Sequence, residues 1–222
     1  MNKTKFGLTA AHLRILALFL MLLDHLWATV VPGNNWMTYF GRMAFPIFAF
    51  QAAEGYHHTH DFKGYCKRLA IFALVSEIPF NLMIFSSPIF PFHQNVMLTL
   101  LLGLLACRTW DQQKLGWLAL ICLAAVLTFP DYGVMGVLTV LMFHALRDRK
   151  WAQLLMLIAI NWFGFEGQQL VFGSIKMPIQ AFAILAFLPI SLYHGEKGPG
   201  GKWLQYGSYL FYPLHMLILG LM

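Results

Sequence analysis

The sequence predicts an all-α integral membrane protein: one membrane-embedded domain over residues 1–222, a polytopic bundle of about nine transmembrane helices with a cytoplasmic N-terminus. Three observations lead to this prediction. Hydrophobic residues make up 59% of the chain and charged residues only 11%, whereas a soluble domain carries about 25% charged residues. Long apolar runs recur from end to end without a repeat or a linker. The basic residues are concentrated in every second loop between these runs.

Nine apolar segments are separated by short polar breaks. They span residues 12–31, 37–57, 66–86, 95–109, 114–130, 132–146, 151–165, 176–193 and 203–221. Several are shorter than the ~20 residues of a straight membrane span, so we expect tilted or partly buried helices. The first segment lacks an A-x-A-like cleavage site, and we therefore interpret it as a retained helix and not a signal peptide.

The Lys and Arg residues predict the orientation of these segments. Of the 15, one group precedes the first segment or lies in the even-numbered loops, whereas the odd-numbered loops and the C-terminus contain only Lys176. That group is Lys3, Lys5, Lys63, Lys67, Arg68, Arg108, Lys114, Arg147, Arg149, Lys150, Lys197 and Lys202. Excess Lys and Arg mark cytoplasmic loops, so we expect a multi-pass protein of the inner (cytoplasmic) membrane with an external C-terminus. The same bias accounts for the net charge of +6, and no nucleic-acid partner is expected.

The three cysteines, Cys66, Cys107 and Cys122, lie in or beside apolar segments without C-x-x-C spacing. We interpret them as small buried side chains, and we expect no metal site and no disulfide. No P-loop, G-x-S-x-G or H-E-x-x-H motif is present in the sequence.

Ionisable and amide side chains inside the predicted spans are the candidates for function. They are Arg14, Asp24, His25, Arg42, Glu54, Glu77, Asn81, Asn95 and His215. An ionised residue at the centre of a span costs about 2.5–3.5 kcal/mol on insertion scales, so each requires a reason. Pairs such as Arg42 with Asp24 or Glu77 could merely hold helices together. The concentration of this set in the first three segments and the last favours a functional site.

The spacing from Arg14 to His25 predicts a shared helix face. Eleven residues make about three turns plus 20°, and they place the two side chains about 16 Å apart along the axis. We expect Arg14 near the cytoplasmic mouth and His25 near the middle of the membrane, with Asp24 turned towards a neighbouring helix. Arginine binds phosphate bidentately and stays charged. The pattern therefore predicts a polar tunnel with an anion-binding entrance.

The second and third segments add polar groups beside prolines. Arg42 is expected in the outer third of its span and Glu54 near the cytoplasmic end, with a kink at Pro46. Glu77 and Asn81 are spaced i, i+4 and share a face.

The remaining polar positions lie further along the chain. The external loop "SSPIFPFHQN" contains His93 and Asn95, and the last segment places His215 inside the membrane after Pro213, which we expect to break the helix.

Six stretches together resemble the TraX family, named for the conjugative pilin acetylase. They are "LMLLDHLWA", "GRMAFPIFAFQAAEG", "LAIFALVSEIPFN", "NVMLTLLLGLL", "GEKG" and "YLFYPLHMLIL". The Arg14-to-His25 spacing also resembles the R-x10-H element of the larger membrane acyltransferase-3 group, and "YPLHMLIL" is similar to that group's closing helix. The resemblance implies an integral membrane acyltransferase that carries an acetyl group from cytoplasmic acetyl-CoA to an acceptor at or across the membrane.

The resemblance also assigns residues. His25 matches the catalytic histidine and Arg14 the arginine that contacts the coenzyme. Characteristic family positions of less certain role are matched by Asp24, Arg42, Glu54, Glu77, Asn95 and His215.

Chemistry adds to these assignments. Imidazole is a base near neutral pH, so His25 can deprotonate the acceptor, and Asp24 can orient it through another helix. Donors on the external side could come from Arg42, Asn95 or His215. The cytoplasmic cations Lys67, Arg68, Arg147, Arg149 and Lys150 could attract coenzyme phosphates, or they could be topology signals alone.

The acceptor stays open between a pilin N-terminus, a glycan hydroxyl and a lipid headgroup. Plasmid-type family members carry a long polar N-terminal extension that is not seen in this sequence, so a pilin acceptor is not assured. Membrane lipids are expected partners, and a homo-oligomer is compatible with the sequence. Two other classes remain: a proton-coupled small-molecule transporter, and an assembly or scaffold protein whose polar residues only join helices.

Overall fold

The computed structural model describes residues 7–165, 167–172 and 175–222, which form a helical bundle with one short β-hairpin. The α-helices are α1 (Ala10–Thr29), α2 (Trp36–Gly41), α3 (Ala44–His58), α4 (Phe62–Phe85), α5 (Val96–Asp111), α6 (Leu115–Leu127), α7 (Gly133–Ala145), α8 (Lys150–Phe163), α9 (Phe187–Ser191) and α10 (Gly201–Gly220). Strands β1 (Gln169–Phe172) and β2 (Ile175–Pro178) pair antiparallel, and a 3-10 helix spans Ile179–Ala186. The predicted all-α class is confirmed. Lys3 and Lys5 lie outside the described residues.

All nine predicted segments contain helix, but two of them are not continuous. The second is divided at Arg42 and Met43 into α2 and α3. Pro46 accounts for this break, because a proline ring clashes with the carbonyl four residues earlier and cannot donate to it. The second segment is therefore two helices and not one, and the kink expected at Pro46 takes the form of a break one turn before it.

The eighth segment, predicted over 176–193, begins as strand β2 and then forms a 3-10 helix. It becomes α-helical only at Phe187. Pro189, the third residue of α9, has no N–H to donate to the carbonyl four residues earlier, and its ring clashes with that carbonyl. It therefore disfavours α-helix in the preceding turn, as Pro46 does before α3.

Two other prolines do not end their helices. Helix α4 continues through Pro79 and α10 continues through Pro213. The expected break at Pro213 is therefore wrong. Each proline removes one backbone hydrogen bond, and packing of α4 against α10, the most extensive helix contact in the bundle, supports both helices across those positions.

Polar residues fix the starts of three long helices. Thr9 and His12 form a capping box at the start of α1. The Asp61 carboxylate accepts from the backbone N–H of Gly64 at 2.8 Å, and the Asn95 side chain accepts from the N–H of Met97 at 3.1 Å. These caps satisfy N–H groups that have no partner inside the helix.

The loops gather at two ends of the bundle, which we call the near end, where α1 begins, and the far end. At the near end Leu8 bridges to Tyr193, and α3, α5 and α7 are joined through side chains at their C-termini. At the far end Gln94 bridges to Pro130, so the third and fifth loops meet there. The alternation of loops between the two ends agrees with the one predicted from the basic residues.

The core lies between α1, α3, α5, α7 and α10. Leu13, Ile47, Leu104, Phe143 and Met216 are almost completely buried within it. Within the described part of the chain, α1 and α4 are the two helices that are long and apolar enough to cross a membrane by length and composition. The prediction of a single domain stays a prediction.

Candidate functional site

Two histidines from opposite ends of the sequence meet in the far half of the bundle. His25, one turn before the end of α1, places its Nδ1 atom 2.7 Å from Nε2 of His215 on α10. The ring planes differ by 8° and the ring centroids are 4.9 Å apart. Rings this far apart with such a short nitrogen–nitrogen distance lie edge to edge, so the contact is an in-plane hydrogen bond and not a face-to-face stack.

The backbone of α10 determines which nitrogen carries each proton. His215 Nδ1 is 2.7 Å from the carbonyl oxygen of Phe211, and a carbonyl can only accept, so Nδ1 is the donor. In a neutral His215, Nε2 is then the acceptor, and His25 must donate from its own Nδ1. This leaves Nε2 of a neutral His25 unprotonated, which is the state that a general base requires.

A cavity of about 80 Å³ leads towards this pair between α1, α3, α4, α5 and α10. The residues that α1 and α10 contribute are Arg14, Leu18, Met21, Ser208, Tyr209 and Tyr212. Met21 precedes His25 by one turn on α1, and Tyr212 precedes His215 by one turn on α10. The stripe predicted from Arg14 to His25 therefore follows the cavity wall and ends at the histidine pair.

Two arginines lie on the near side of this cavity. Arg14 is part of its lining, and the guanidinium of Arg68 stands 5.8 Å from the ring centre of Tyr65, which also lines it. The Nε atom of Arg68 is buried without a hydrogen-bond partner. Neither arginine has a carboxylate partner in the described part of the chain, so both remain available to an anion.

Asp24 faces away from the histidines, as its helix position predicted. The guanidinium of Arg42 donates to both carboxylate oxygens of Asp24 at 3.0 and 2.9 Å, and Thr38 donates to one of them at 2.7 Å. A Cβ added at Gly41 would stand 2.5 Å from the Cβ of Asp24, so glycine lets α2 approach closely enough for this ion pair. The pair joins α1 to the α2–α3 break, which agrees with the helix-holding alternative for Arg42.

Glu77 and Asn81 share a helix face as predicted, with a hydrogen bond of 3.3 Å. The Asn95 side chain, which is completely buried, donates to Glu77 at 2.5 Å and to the carbonyl of Ala73 at 2.8 Å. Because Asn95 also caps α5, its polar atoms are used inside the protein. These contacts give Asn95 a structural role, apart from the two arginines of the cavity.

Glu54 and Arg147 form an ion pair at the near end, with Arg147 Nε 2.8 Å from Glu54 Oε1. The hydrogen bond to Glu54 raises the pKa of Arg147. Both line a second cavity of about 280 Å³, which also contains Asp148 and Lys150. The charge of Arg147 is thus already compensated, unlike that of Arg14 or Arg68.

The other cytoplasmic cations of the prediction do not reach the first cavity. Lys67 and Arg149 are exposed, and Lys150 donates to the carbonyl of Ser191 at 3.2 Å. Of the cations considered for coenzyme phosphates, Arg14 and Arg68 are brought together, and the remainder are dispersed over the near end.

The sequence interpretation missed a second polar cluster. His144 on α7 bridges Asp111 on α5, at 2.7 Å, and His57 on α3, at 3.1 Å. His144 lies inside the predicted segment 132–146, where an ionisable residue is costly, and that position was the available signal.

The first cavity and its histidine pair can support one kind of chemistry best. An unprotonated imidazole nitrogen, held by a second imidazole, lies one turn beyond the lining of an apolar cavity that has two uncompensated arginines on its near side. A base at one end and an anion site at the other suit a long, phosphate-bearing donor whose reactive group reaches the histidines.

Comparisons with known proteins agree on one family. The family model described as TraX protein matches residues 9–222. The chain is 28% identical, over 234 aligned positions, to the probable fimbrial assembly protein FimC, serogroup H1, of Dichelobacter nodosus, covering 95% of this chain and 94% of that protein. It is 27% identical to Protein TraX of Escherichia coli (strain K12) over 154 positions, covering 66% of this chain and 60% of that protein. No solved structure matches the chain.

Proposed function

The chain belongs to the TraX family, and we propose that it is a membrane acyltransferase that moves an acetyl group from coenzyme A to an acceptor at the far end. The observation that carries the proposal is the cavity that begins at Arg14 and reaches, at Met21 and Tyr212, to within one helical turn of the His25–His215 pair. We also propose kinship with the acyltransferase-3 group, on the spacing of Arg14 and His25 and on the similarity of "YPLHMLIL" to that group's closing helix.

The placement in a membrane is supported by the surface of the bundle. Leu74 on α4, Leu127 on α6 and Leu210 on α10 are 79%, 65% and 60% exposed, and they belong to apolar stripes on those helices. Apolar surface of this extent suits lipid and not water. We propose a multi-pass arrangement in the cytoplasmic membrane in which all nine helical segments cross or partly cross the bilayer, with the near end in the cytoplasm.

The donor site follows from the same orientation. Acetyl-CoA is made and held in the cytoplasm, and its phosphates would meet Arg14 and Arg68 at the near side of the cavity. The apolar lining would accommodate the uncharged arm that ends in the thioester. His25 then lies beyond the cavity, about 16 Å along α1 from Arg14.

His25 is the base in this reaction. The acceptor O–H or N–H gives its proton to Nε2 of His25 as its lone pair attacks the thioester carbonyl. The carbon–sulfur bond then breaks, and the departing sulfur takes the proton from the imidazolium to give the free thiol. His215 accepts from Nδ1 of His25 throughout, so it orients the base and stabilises the imidazolium, as the third member of a catalytic triad does.

The acceptor that we propose is a fimbrial or pilin-like protein. This rests on the name of the Dichelobacter relative, which describes assembly of fimbriae and which aligns over nearly its full length. A protein N-terminus that emerges from the membrane would reach the far end of the bundle. A glycan hydroxyl or a lipid headgroup would be deprotonated by the same base, and the experiment below separates the three.

The test uses the purified chain in proteoliposomes with acetyl-CoA carrying a radiolabelled acetyl group. We expect slow thioester hydrolysis by the chain alone and label on a pilin-like protein when one is supplied. Label on a glycan or lipid instead would keep the enzyme and overturn the acceptor. Uptake of a solute without any acyl chemistry would identify a transporter. If the chain showed neither acyl chemistry nor uptake, with or without an acceptor, it would be a scaffold.

A further inference from the structure

A hydrogen-bonded chain of four side chains lies at the near end, outside the proposed acyl-transfer site. Its members are Tyr56, His57, Asp111 and His144. The Tyr56 hydroxyl donates to one carboxylate oxygen of Asp111 at 2.7 Å, and Nε2 of His144 stands 2.7 Å from the other. Nδ1 of His144 is 3.1 Å from Nε2 of His57.

The chain joins three helices at one level of the bundle. Tyr56 and His57 belong to α3, Asp111 is the last residue of α5, and His144 lies near the end of α7. His144 is buried, whereas His57 is exposed. Helices α3 and α5 also line the first cavity, which we call the donor cavity. We therefore expect a change in how their near ends are held to alter that cavity.

Counting protons shows what these bonds tolerate. The carboxylate of Asp111 accepts only, so His144 donates to it from Nε2, and with both rings neutral His57 donates to Nδ1 of His144. When one proton is added, His144 carries protons on both ring nitrogens and donates both to Asp111 and to His57. His57 then accepts at Nε2 instead of donating from it, so every hydrogen bond is kept. A second proton makes both rings cationic donors. The bond between His57 and His144 is then lost and two like charges face each other.

We propose that these four side chains form a proton-sensitive latch that joins α3, α5 and α7 while it carries at most one extra proton, and that opens when both histidines are protonated. Cytoplasmic acidification would then loosen the near end. The consequence for the donor cavity rests on the proposed function, whereas the latch itself does not.

Other charged and titratable groups surround the latch and set its charge. Arg147 and Glu54 act on His57 from the α7 and α3 sides, and because they pair with each other their charges largely cancel. Arg108 and Cys107 of α5 lie near Tyr56. His58 points instead to Glu54, at 3.4 Å, and takes no part in the chain.

The test measures thermal stability against pH on the purified chain in detergent, between about pH 5 and pH 8, where histidines titrate. The closed latch accepts one extra proton, whereas the unfolded chain can protonate both histidines. Unfolding therefore takes up the second proton, and stability falls as pH falls through the range in which that proton binds. In His57→Gln the amide keeps a hydrogen bond to His144 but cannot take the second proton. We expect the Tm of His57→Gln to match that of the parent near pH 8. Between pH 8 and pH 5 its Tm should fall by no more than half as much as the parent's.

His58→Gln is the matched control, because it changes the adjacent exposed histidine and leaves the four-residue chain intact. It should keep the parent's pH dependence. Equal pH dependence in the parent and in His57→Gln would overturn the latch, and so would a flattening in His58→Gln as large as in His57→Gln.

The link to the donor cavity has its own measurement, the affinity for coenzyme A over the same pH range. The parent should lose affinity on acidification more steeply than His57→Gln. A flattened Tm profile with no difference in coenzyme affinity would overturn the link while leaving the latch. No coenzyme binding by any variant would count against the proposed function, and the Tm profile would still decide the latch.

Discussion

The bundle contains two histidine pairs, and they differ in what stands behind them. His25 and His215 meet in the far half, and their chain of hydrogen bonds ends on the carbonyl of Phe211. His57 and His144 meet at the near end, and their chain ends on the carboxylate of Asp111. Each pair joins two helices through one nitrogen–nitrogen contact.

The terminal acceptor decides what each pair can do. A backbone carbonyl is neutral, so it fixes the protonation of His215 without favouring an extra proton, and it leaves His25 with a free basic nitrogen. A carboxylate carries a charge that attracts an extra proton into the chain. The same two side chains therefore suit a base at one end and a proton-holding contact at the other.

The largest expected effect comes from removing the base. His25→Ala should reduce acyl transfer by about 10²–10⁴-fold, which is the usual contribution of a general base. The chain should stay folded, because alanine is cheaper to bury than imidazole. His57→Ala is the counterpart at the near end and should retain most of its activity at neutral pH. If His57→Ala lost as much activity as His25→Ala, transfer would depend equally on both pairs, and the assignment of the base to the far pair alone would fail.

Removing the orienting histidine should cost less. His215→Ala leaves Nδ1 of His25 without its acceptor and the ring free to turn, and a misplaced catalytic group costs about 10²-fold. His215→Asn should recover part of the activity, since an amide oxygen can accept from His25. The measurement is kcat with acetyl-CoA at saturation. A loss in His215→Ala that exceeds the loss in His25→Ala would make His215 the base.

The sequence predicted one of the two pairs only in part. Helical periodicity placed Arg14 and His25 on one face, because that relation is local. The contact between His25 and His215 joins residues 190 apart, and no local pattern encodes which helices are neighbours. The near-end chain was missed because its contacts join residues on three different helices, and no local pattern brings His57, Asp111 and His144 together.

The fold shows the same division. Hydrophobic length predicted where all nine helical segments lie, and Pro46 predicted a kink in the second, but the sequence did not predict that α10 continues through Pro213 as α4 does through Pro79. A proline removes the same hydrogen bond at each position. Whether the helix survives depends on the helices packed around it, and that information is tertiary.

The third effect concerns the uncompensated arginines. Arg14→Ala and Arg68→Ala should each raise KM for acetyl-CoA by about 10-fold, the scale of one charge-assisted hydrogen bond, with a smaller change in kcat. Arg147→Ala is the control at the same end, because its guanidinium is already paired with Glu54. Equal KM increases in all three variants would mean that the near-end cations act only as a general positive field.

The smallest effect comes from a third histidine, in the loop between α4 and α5. His93 Nε2 stands 3.5 Å from Asp131. The hydrogen bond to Asp131 raises the pKa of His93, against a smaller lowering by partial burial. A raised pKa in the folded state adds stability that is complete below the unfolded value of about 6.5 and is lost as pH rises through the folded pKa.

His93→Gln should therefore lower Tm slightly at about pH 5.5 and leave it unchanged near pH 8.5, because only a charged His93 gains from Asp131. The side chain is 41% exposed, so water screens the pair and the loss should stay below about 1 kcal/mol. Acid therefore strengthens the contribution of the His93–Asp131 pair to stability, whereas acid weakens that of the latch. If His93→Gln abolished the acid-induced decrease in Tm, the pH dependence assigned to His57 and His144 would belong to the far end instead, and the contrast between the two pairs would fail.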